Sequence, residues 1–301
     1  MNNFLETSKI TITGHNIEVI RDDIFPFTGG GNKGRKALEY EKFLLKNNYN
    51  ALVTTGGIQS NHNRAMALLA AKHGWKCHLV YHGSKERFFK EKGNALLVRN
   101  TPAICQFVEN DEISDAMDNA VSKFKSEGLN PLYVTGGGHD LPGGIAYVKA
   151  IQDLYKKRKG IAPAYIFLAS GTGSTQSGII TGLNKVGWKS TKVIGISVAR
   201  EYKKGYKAIY DFTKKLTSFY NLKDDFSGQI YFTDNFLEGG YECFSTEMES
   251  FILNISKKTG LIFDTTYSGK ALWGMSKLLP DIQTNQDIIF WHTGGLMNLM
   301  K

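Results

Sequence analysis

The feature that most constrains this fold is a repeated junction, in which a short apolar run ends in a glycine-rich polar turn. Seven runs read as strands: "ALVTT" (51–55), "CHLVYH" (77–82), "PLYVT" (131–135), "AYIFLAS" (164–170), "KVIGISVA" (192–199), "LIFDTTY" (261–267) and "DIIFWHT" (287–293). Helical patterns lie between them. "NHNRAMALLAAKHG" (61–74) ends on Gly74, a natural helix stop. "DEISDAMDNAVSKFKSEG" (111–128) puts Ile113, Met117, Ala120, Val121 and Phe124 on one face and stops at Gly128. Strands alternating with helices predict an α/β protein with mostly parallel sheets. Four runs flow into "TTGGIQSNHN", "VTGGGHD", "ASGTGSTQSG" and "HTGG". Ligands of open α/β sheets bind beyond the carboxyl ends of the strands, so the four turns predict one composite cleft.

The 301 residues suffice for one large core or two smaller ones. No Pro/Ser-rich linker or repeat appears, so two domains would have to be interwoven. No apolar run approaches the roughly 20 residues of a membrane-spanning helix. "MNNFLETSKI" lacks the basic and apolar regions of a signal peptide, so a cytosolic chain is expected. A formal charge of +9 invites a nucleic-acid reading, yet clusters such as "YKKRKG" (155–160) and "EYKKGYK" (201–207) come without a groove-binding motif. They read as a solvated basic face whose field attracts a small anionic substrate. Cys77, Cys105 and Cys243 are odd in number and not in CxxC pairs. Buried free thiols are expected, not disulfides or zinc.

"TGGGNKGRK" (28–36) presents Lys33 from a run of glycines, as a solvated charge, a phosphate clamp or a lysine for covalent chemistry. In "SGTGSTQSG" (170–178) glycines let the backbone approach a ligand, and the N–H groups of the following helix favour a phosphate. The turn is neither a P-loop nor a good dinucleotide fingerprint, because Gln176 stands where GxGxxG needs glycine. Arg200, after the next strand, keeps an NADP site open. In "TTGGIQSNHNR" (54–64), Ser60 or Asn61 caps a helix, or else Gln59, Ser60 and Asn61 with the exposed amides hold a carboxylate. His62 has no second histidine at metal-ligand spacing, so no metal site is expected.

A phosphate cup, a carboxylate cup and a lysine on a glycine turn are together the parts of a pyridoxal phosphate site, where lysine forms a Schiff base with the aldehyde. "RDDIFPFTGGGNKGRKALEYE" (21–41), "TTGGIQSNHNRAMALLAAKHG" (54–74), "ASGTGSTQSGI" (169–179), "EGGYE" (238–242), "DTTYSGKALWGM" (264–275) and "HTGG" (292–295) resemble, in order, the motifs of the ACC deaminase / D-cysteine desulfhydrase family, ACC being 1-aminocyclopropane-1-carboxylate. The resemblance implies two open parallel-sheet α/β domains with pyridoxal 5'-phosphate between them: residues 1–36 with 149–301, and an inserted 37–148. It implies a homodimer acting on a small amino acid, with no nucleic-acid or membrane partner.

Residue by residue, it makes Lys33 the Schiff-base lysine and proton carrier, with Arg35 and Lys36 structural at a helix start. Asn61 would bond the cofactor's ring hydroxyl, with Ser60 beside the substrate and Gln59 and His62 in the same substrate-binding turn. Gly171, Thr172, Gly173, Ser174 and Thr175 would hold the phosphate, and Tyr241 and Tyr267 would sit at the substrate. Ser268 would face the pyridine nitrogen, where ACC deaminases carry glutamate and D-cysteine desulfhydrases a hydroxyl residue. A hydroxyl keeps the ring protonated far less well than a carboxylate. With His62 after Ser60–Asn61, this favours elimination from D-cysteine over ACC deamination, a cofactor-retaining binding protein being a further alternative. The chain departs from the family at "GGGHDLPGGIAYV" (136–148), where an asparagine–proline–x–glycine element is usual, and after "HTGGLMNLM" (292–300), which lacks the usual proline–alanine–leucine.

Overall fold

The computed structural model describes residues 4–223 and 225–301. The chain runs β1 (Thr7–Ile12), β2 (His15–Arg21), α1 (Gly31–Lys46), β3 (Ala51–Gly57), α2 (Asn61–His73), β4 (Lys76–His82), α3 (Lys85–Lys90), α4 (Gly93–Arg99), β5 (Ile104–Val108), α5 (Ile113–Ser126), β6 (Pro131–Tyr133) and α6 (Leu141–Lys157). It continues through β7 (Tyr165–Ser170), α7 (Ser174–Val186), β8 (Lys192–Ser197), α8 (Tyr202–Phe219), β9 (Ile230–Thr233), α9 (Thr246–Thr259), α10 (Ser268–Leu278) and β10 (Ile288–His292). Two compact units result: Met1–Phe25 with Gly144–Leu296, and Pro26–Gly143 with Met297–Lys301. Both divisions fall earlier than the 36/37 and 148/149 read from the sequence. Lys33 and the rest of α1 lie in the second unit.

The first unit is built on a six-stranded sheet of order β1-β2-β10-β7-β8-β9, parallel except for the β1–β2 hairpin. Alternate residues of the central strands β7 and β10 enter opposite cores. Phe167 and Phe290 lie in one, and Ile166, Leu168, Ile289 and Trp291 in the other. Covered on both faces, such strands read as continuous apolar runs, each fully buried side chain contributing about 1.5–3 kcal/mol. Helix α7 sits close against α6 because a Cβ at Gly178 would lie 2.5 Å from the Gly144 carbonyl oxygen, and one at Gly182 2.7 Å from Ile151 Cβ.

The second unit has an all-parallel sheet of order β5-β4-β3-β6. Its core joins Ala51, Val53 and Val80 to Ala116, Met117, Ala120 and Phe124 of α5, the face marked by the sequence. In each sheet the glycine-rich turns leave the carboxyl ends of neighbouring strands, β3 and β6 in one and β7 and β10 in the other.

Two expectations need correcting. Residues 261–267 form no strand: the Asp264 carboxylate takes the N–H groups of Thr266 and Tyr267, which commits them to a turn rather than a ladder. Of the cysteines only Cys77 is buried; Cys243 is exposed and Cys105 intermediate. Strands β1, β2, β5 and β9 were not anticipated.

Candidate active site

In the second unit, Gly29, Gly30 and Gly31 have φ of 82°, 77° and 74° in succession. A side chain would cost about 1–2 kcal/mol at each, so the sequence spends glycine here. The turn delivers Lys33 into the first turn of α1, where its Nζ donates to the Gly137 carbonyl at 2.8 Å. Lys36, one helical turn on, is 1% exposed and donates to the same oxygen at 3.2 Å. Positive φ at Gly137 (71°) and Gly138 (68°) shapes the loop that offers this carbonyl. Asp140, in the same loop, accepts hydrogen bonds from the Tyr40 hydroxyl and, at 3.2 Å, from the Thr135 N–H.

Desolvation brings the Lys33 ammonium down to about 8; a hydrogen bond with Lys36 opposes this, and the charge of Arg64 adds to it. On the order of one tenth is then the neutral, nucleophilic amine at pH 7, against well under one hundredth for an ordinary lysine.

Arg64 of α2 ties the glycine turn to that helix. Its Nε donates to Thr28 O (3.2 Å), Nη2 to Gly30 O (2.9 Å), and Nη1 to Asn61 Oδ1 and Asn94 Oδ1 (both 2.8 Å). Asn61 Oδ1 also accepts from Asn94 Nδ2 at 3.1 Å, which leaves the Asn61 NH2 as the group presented elsewhere. Ser60 caps α2, its Oγ accepting the Asn63 N–H at 3.1 Å.

Gln59 and His62 turn into the scaffold of their own unit. Gln59 Nε2 donates to Glu91 Oε2 (2.9 Å) and Lys92 O (3.0 Å), and Oε1 accepts from Asn94 N (2.9 Å). Thr54 gives its hydroxyl proton to Val134 O, so His62 Nε2, 2.9 Å from Thr54 Oγ1, is the donor in that pair. Burial, with Lys33 and Lys36 nearby, holds His62 well below the usual imidazole range and therefore neutral.

In the first unit, β7 ends at Ser170, and Gly171 and Thr172 lead to Gly173, the N-cap residue of α7, with φ 90° and no side-chain cap bond. A Cβ at Gly173 would lie 2.7 Å from Ile209 Cγ1. Thr172 Oγ1 and Ser174 Oγ are 3.3 Å apart, and Ser174 and Thr175 are buried. The Ser170 hydroxyl is buried with no hydrogen-bond partner among the described residues. Arg200, read as a marker for a 2'-phosphate, donates to the Thr172 carbonyl at 3.3 Å. Helix-start amides, two hydroxyls and a nearby guanidinium form a donor set that suits a phosphate.

The Tyr241 and Tyr267 hydroxyls are hydrogen-bonded to each other. Burial and the neighbouring Tyr241 hold the Tyr267 phenol well above its usual range, so it remains a neutral proton donor. Ser268, fully buried, opens α10 and donates its hydroxyl to Asp264 Oδ1 at 2.7 Å. A lysine of lowered basicity in one unit suits the aldehyde of pyridoxal phosphate, and a phosphate-type donor set in the other suits its phosphate. Arg64, Asp140 and Asp264 went unread, without a local signal, and Lys36, read as structural at a helix start, shares the Gly137 carbonyl with Lys33.

A family model described as "Pyridoxal-phosphate dependent enzyme" matches residues 8–294. The chain is 29% identical over 291 residues to a D-cysteine desulfhydrase of Serratia proteamaculans (strain 568), with 94% of this chain and 87% of the relative covered. It is 26% identical to a D-cysteine desulfhydrase of Klebsiella pneumoniae (strain 342), with the same coverage of each. A crystal structure titled as an ACC deaminase homologue superposes with a TM-score of 0.86 at 26% identity, covering 98% of this chain and 91% of that one. A structure of O-acetyl serine sulfhydrylase isoform 3 from Entamoeba histolytica, at 14% identity and a TM-score of 0.69, shares the fold. The resemblance read from the six motifs is borne out: the chain belongs to the family of pyridoxal-phosphate-dependent enzymes, and the proteins it is similar to include D-cysteine desulfhydrases and an ACC deaminase homologue.

Proposed function

We propose that the protein is a D-cysteine desulfhydrase: D-cysteine and water give pyruvate, ammonia and hydrogen sulfide. Lys33 carries the reading, because its depressed basicity supplies both an amine for the cofactor aldehyde and a base for the substrate's α-hydrogen. Pyridoxal phosphate, when bound, draws off the electron pair left at the α-carbon. The 171–175 turn holds its phosphate, and the Asn61 NH2 and Ser268 Oγ are assigned to its ring. The substrate carboxylate is assigned to the start of α2 beside Ser60. The hydrogen-bonded Tyr241 and Tyr267 exchange a proton at the substrate as sulfide leaves. Gln59 and His62 are assigned to the same turn, held by their bonds to Glu91, Lys92 and Thr54.

Two relatives carry the D-cysteine desulfhydrase name, and the hydroxyl of Ser268 agrees with it. ACC deamination is the second reading, favoured by the superposition on the ACC deaminase homologue. Screening the purified protein against D- and L-cysteine, other small amino acids and ACC decides between them. Faster release of sulfide and pyruvate from D-cysteine is expected; faster release of 2-oxobutanoate from ACC overturns the assignment. Tyr267→Phe and Tyr241→Phe should each lower turnover by about 10²–10⁴ with Tm little changed. Unchanged turnover in both would make the pair packing residues. A homodimer is part of the proposal and is read from the mass in solution.

A further inference from the structure

Helix α10 is preceded by a buried carboxylate that the proposed chemistry leaves unused. Asp264 is 0% exposed, and its Oδ1 accepts from the Ser268 N–H (2.8 Å) and the Ser268 hydroxyl (2.7 Å). Its Oδ2 accepts from the N–H groups of Tyr267 (2.9 Å) and Thr266 (3.2 Å). All four bonds are accepted by the carboxyl, as a carboxylate requires. Gly295 makes room: with φ +108°, a Cβ there would sit 2.4 Å from Oδ1.

Ser268 Oγ thereby gives away its single proton, and it accepts the Asp264 N–H at 3.3 Å. One acceptor direction is left and no donor. A hydroxyl in this state can receive a hydrogen bond from a ring nitrogen only if that nitrogen brings its own proton.

Resting on the reading in which Ser268 meets the cofactor ring, we propose that Asp264 is a positioning residue that, through the Ser268 hydroxyl, selects the protonated form of the pyridine nitrogen. The carboxylate polarises the hydroxyl it accepts from, and its negative charge lies one hydrogen bond beyond the ring nitrogen. Tyr241, Tyr267, Lys270 and His292 are the titratable groups that share its field. The serine thus acts as the near end of an acidic pair, which supplies part of what a glutamate would.

The test is made without turnover. Cofactor-free protein is reloaded with pyridoxal phosphate labelled with 15N in the ring, and the 15N chemical shift is recorded for wild type, Ser268→Thr, Ser268→Ala, Asp264→Asn and Asp264→Ser at one pH. Wild type and Ser268→Thr should show the protonated ring. In Ser268→Ala and both Asp264 variants the protonated fraction should fall severalfold while Lys33 still carries the label after borohydride. A neutral ring in wild type, or a protonated ring in Ser268→Ala, overturns the proposal. Asp264 also caps α10, so where its variants fail to fold the Ser268 pair decides. Label fixed on a lysine other than Lys33 would instead defeat the underlying reading.

Discussion

The turns before α1 and α7 look alike in sequence and differ in what surrounds them. Both are glycine-rich, both enter a helix through a glycine of positive φ, and neither has a side-chain cap. Before α1 the carbonyls of Thr28 and Gly30 are claimed by the Arg64 guanidinium, with Lys33 and Lys36 converging on Gly137 O. Before α7 the nearest side-chain donors are the hydroxyls of Thr172 and Ser174, with Arg200 on the Thr172 carbonyl. One turn gathers cations inside its own unit and lowers the basicity of a lysine. The other is lined by hydroxyls and a guanidinium. What a glycine-rich helix start can hold is therefore set by the side chains around it as much as by its glycines.

The largest test of this contrast is Lys33→Ala, which should abolish turnover and any borohydride-fixed cofactor, checked by mass analysis of the reduced peptide. Cofactor trapped on another lysine would dissolve the distinction between the two turns. Gly173→Asp comes next. It sets like charge against a phosphate at a cost of several kcal/mol, so cofactor affinity should fall about 100-fold or more by titration. Affinity equal to wild type in a folded variant would reduce the α7 turn to a structural connection. The subtlest test is pH. Capture of pyridoxal phosphate by cofactor-free protein should accelerate through an inflection near 8, the value to which burial brings Lys33. Since that lies below a free lysine's, protonation of Lys33 opposes folding. The penalty is full below about pH 8 and fades as pH rises toward about 10.4. An inflection near 10.4 would make Lys33 an ordinary solvated lysine.

Much of the fold was legible, for a physical reason. β3, β4, β7, β8 and β10 carry continuous apolar stretches, and glycines at the ends of β3, β4, β7 and β10 leave a local trace. β1, β5 and β9 are edge strands, with Ile104 42% and Tyr231 41% exposed, and their mixed polarity hides them. β2 escaped because polar residues interrupt it, although it joins β1 through the two-residue turn Thr13–Gly14. Lys33 and the 171–175 turn were legible from glycine-rich motifs. Tyr40 and Asp140, a hundred residues apart, meet only in the folded unit, as do Arg64 and Gly30, and no local pattern announces such pairs. The departing loop at 136–148 marked a difference without saying that its Gly137 carbonyl would hold both lysines.

Residues 297–301 belong with 26–143 although the whole of 144–296 is synthesised between them. Asn298 Oδ1 takes a hydrogen bond from Asn94 Nδ2 at 2.9 Å, and that same amide supports Asn61. At ribosomal speeds of about 5–20 residues per second, the gap between the two instalments is on the order of ten seconds or more. During that interval a nascent chain has β3, α2 and α4 outside the ribosome but lacks the last strut under Asn61. The surroundings of Lys33 are thus begun early in translation and completed only after residues 144–296 have been made, so the order of synthesis itself delays their completion.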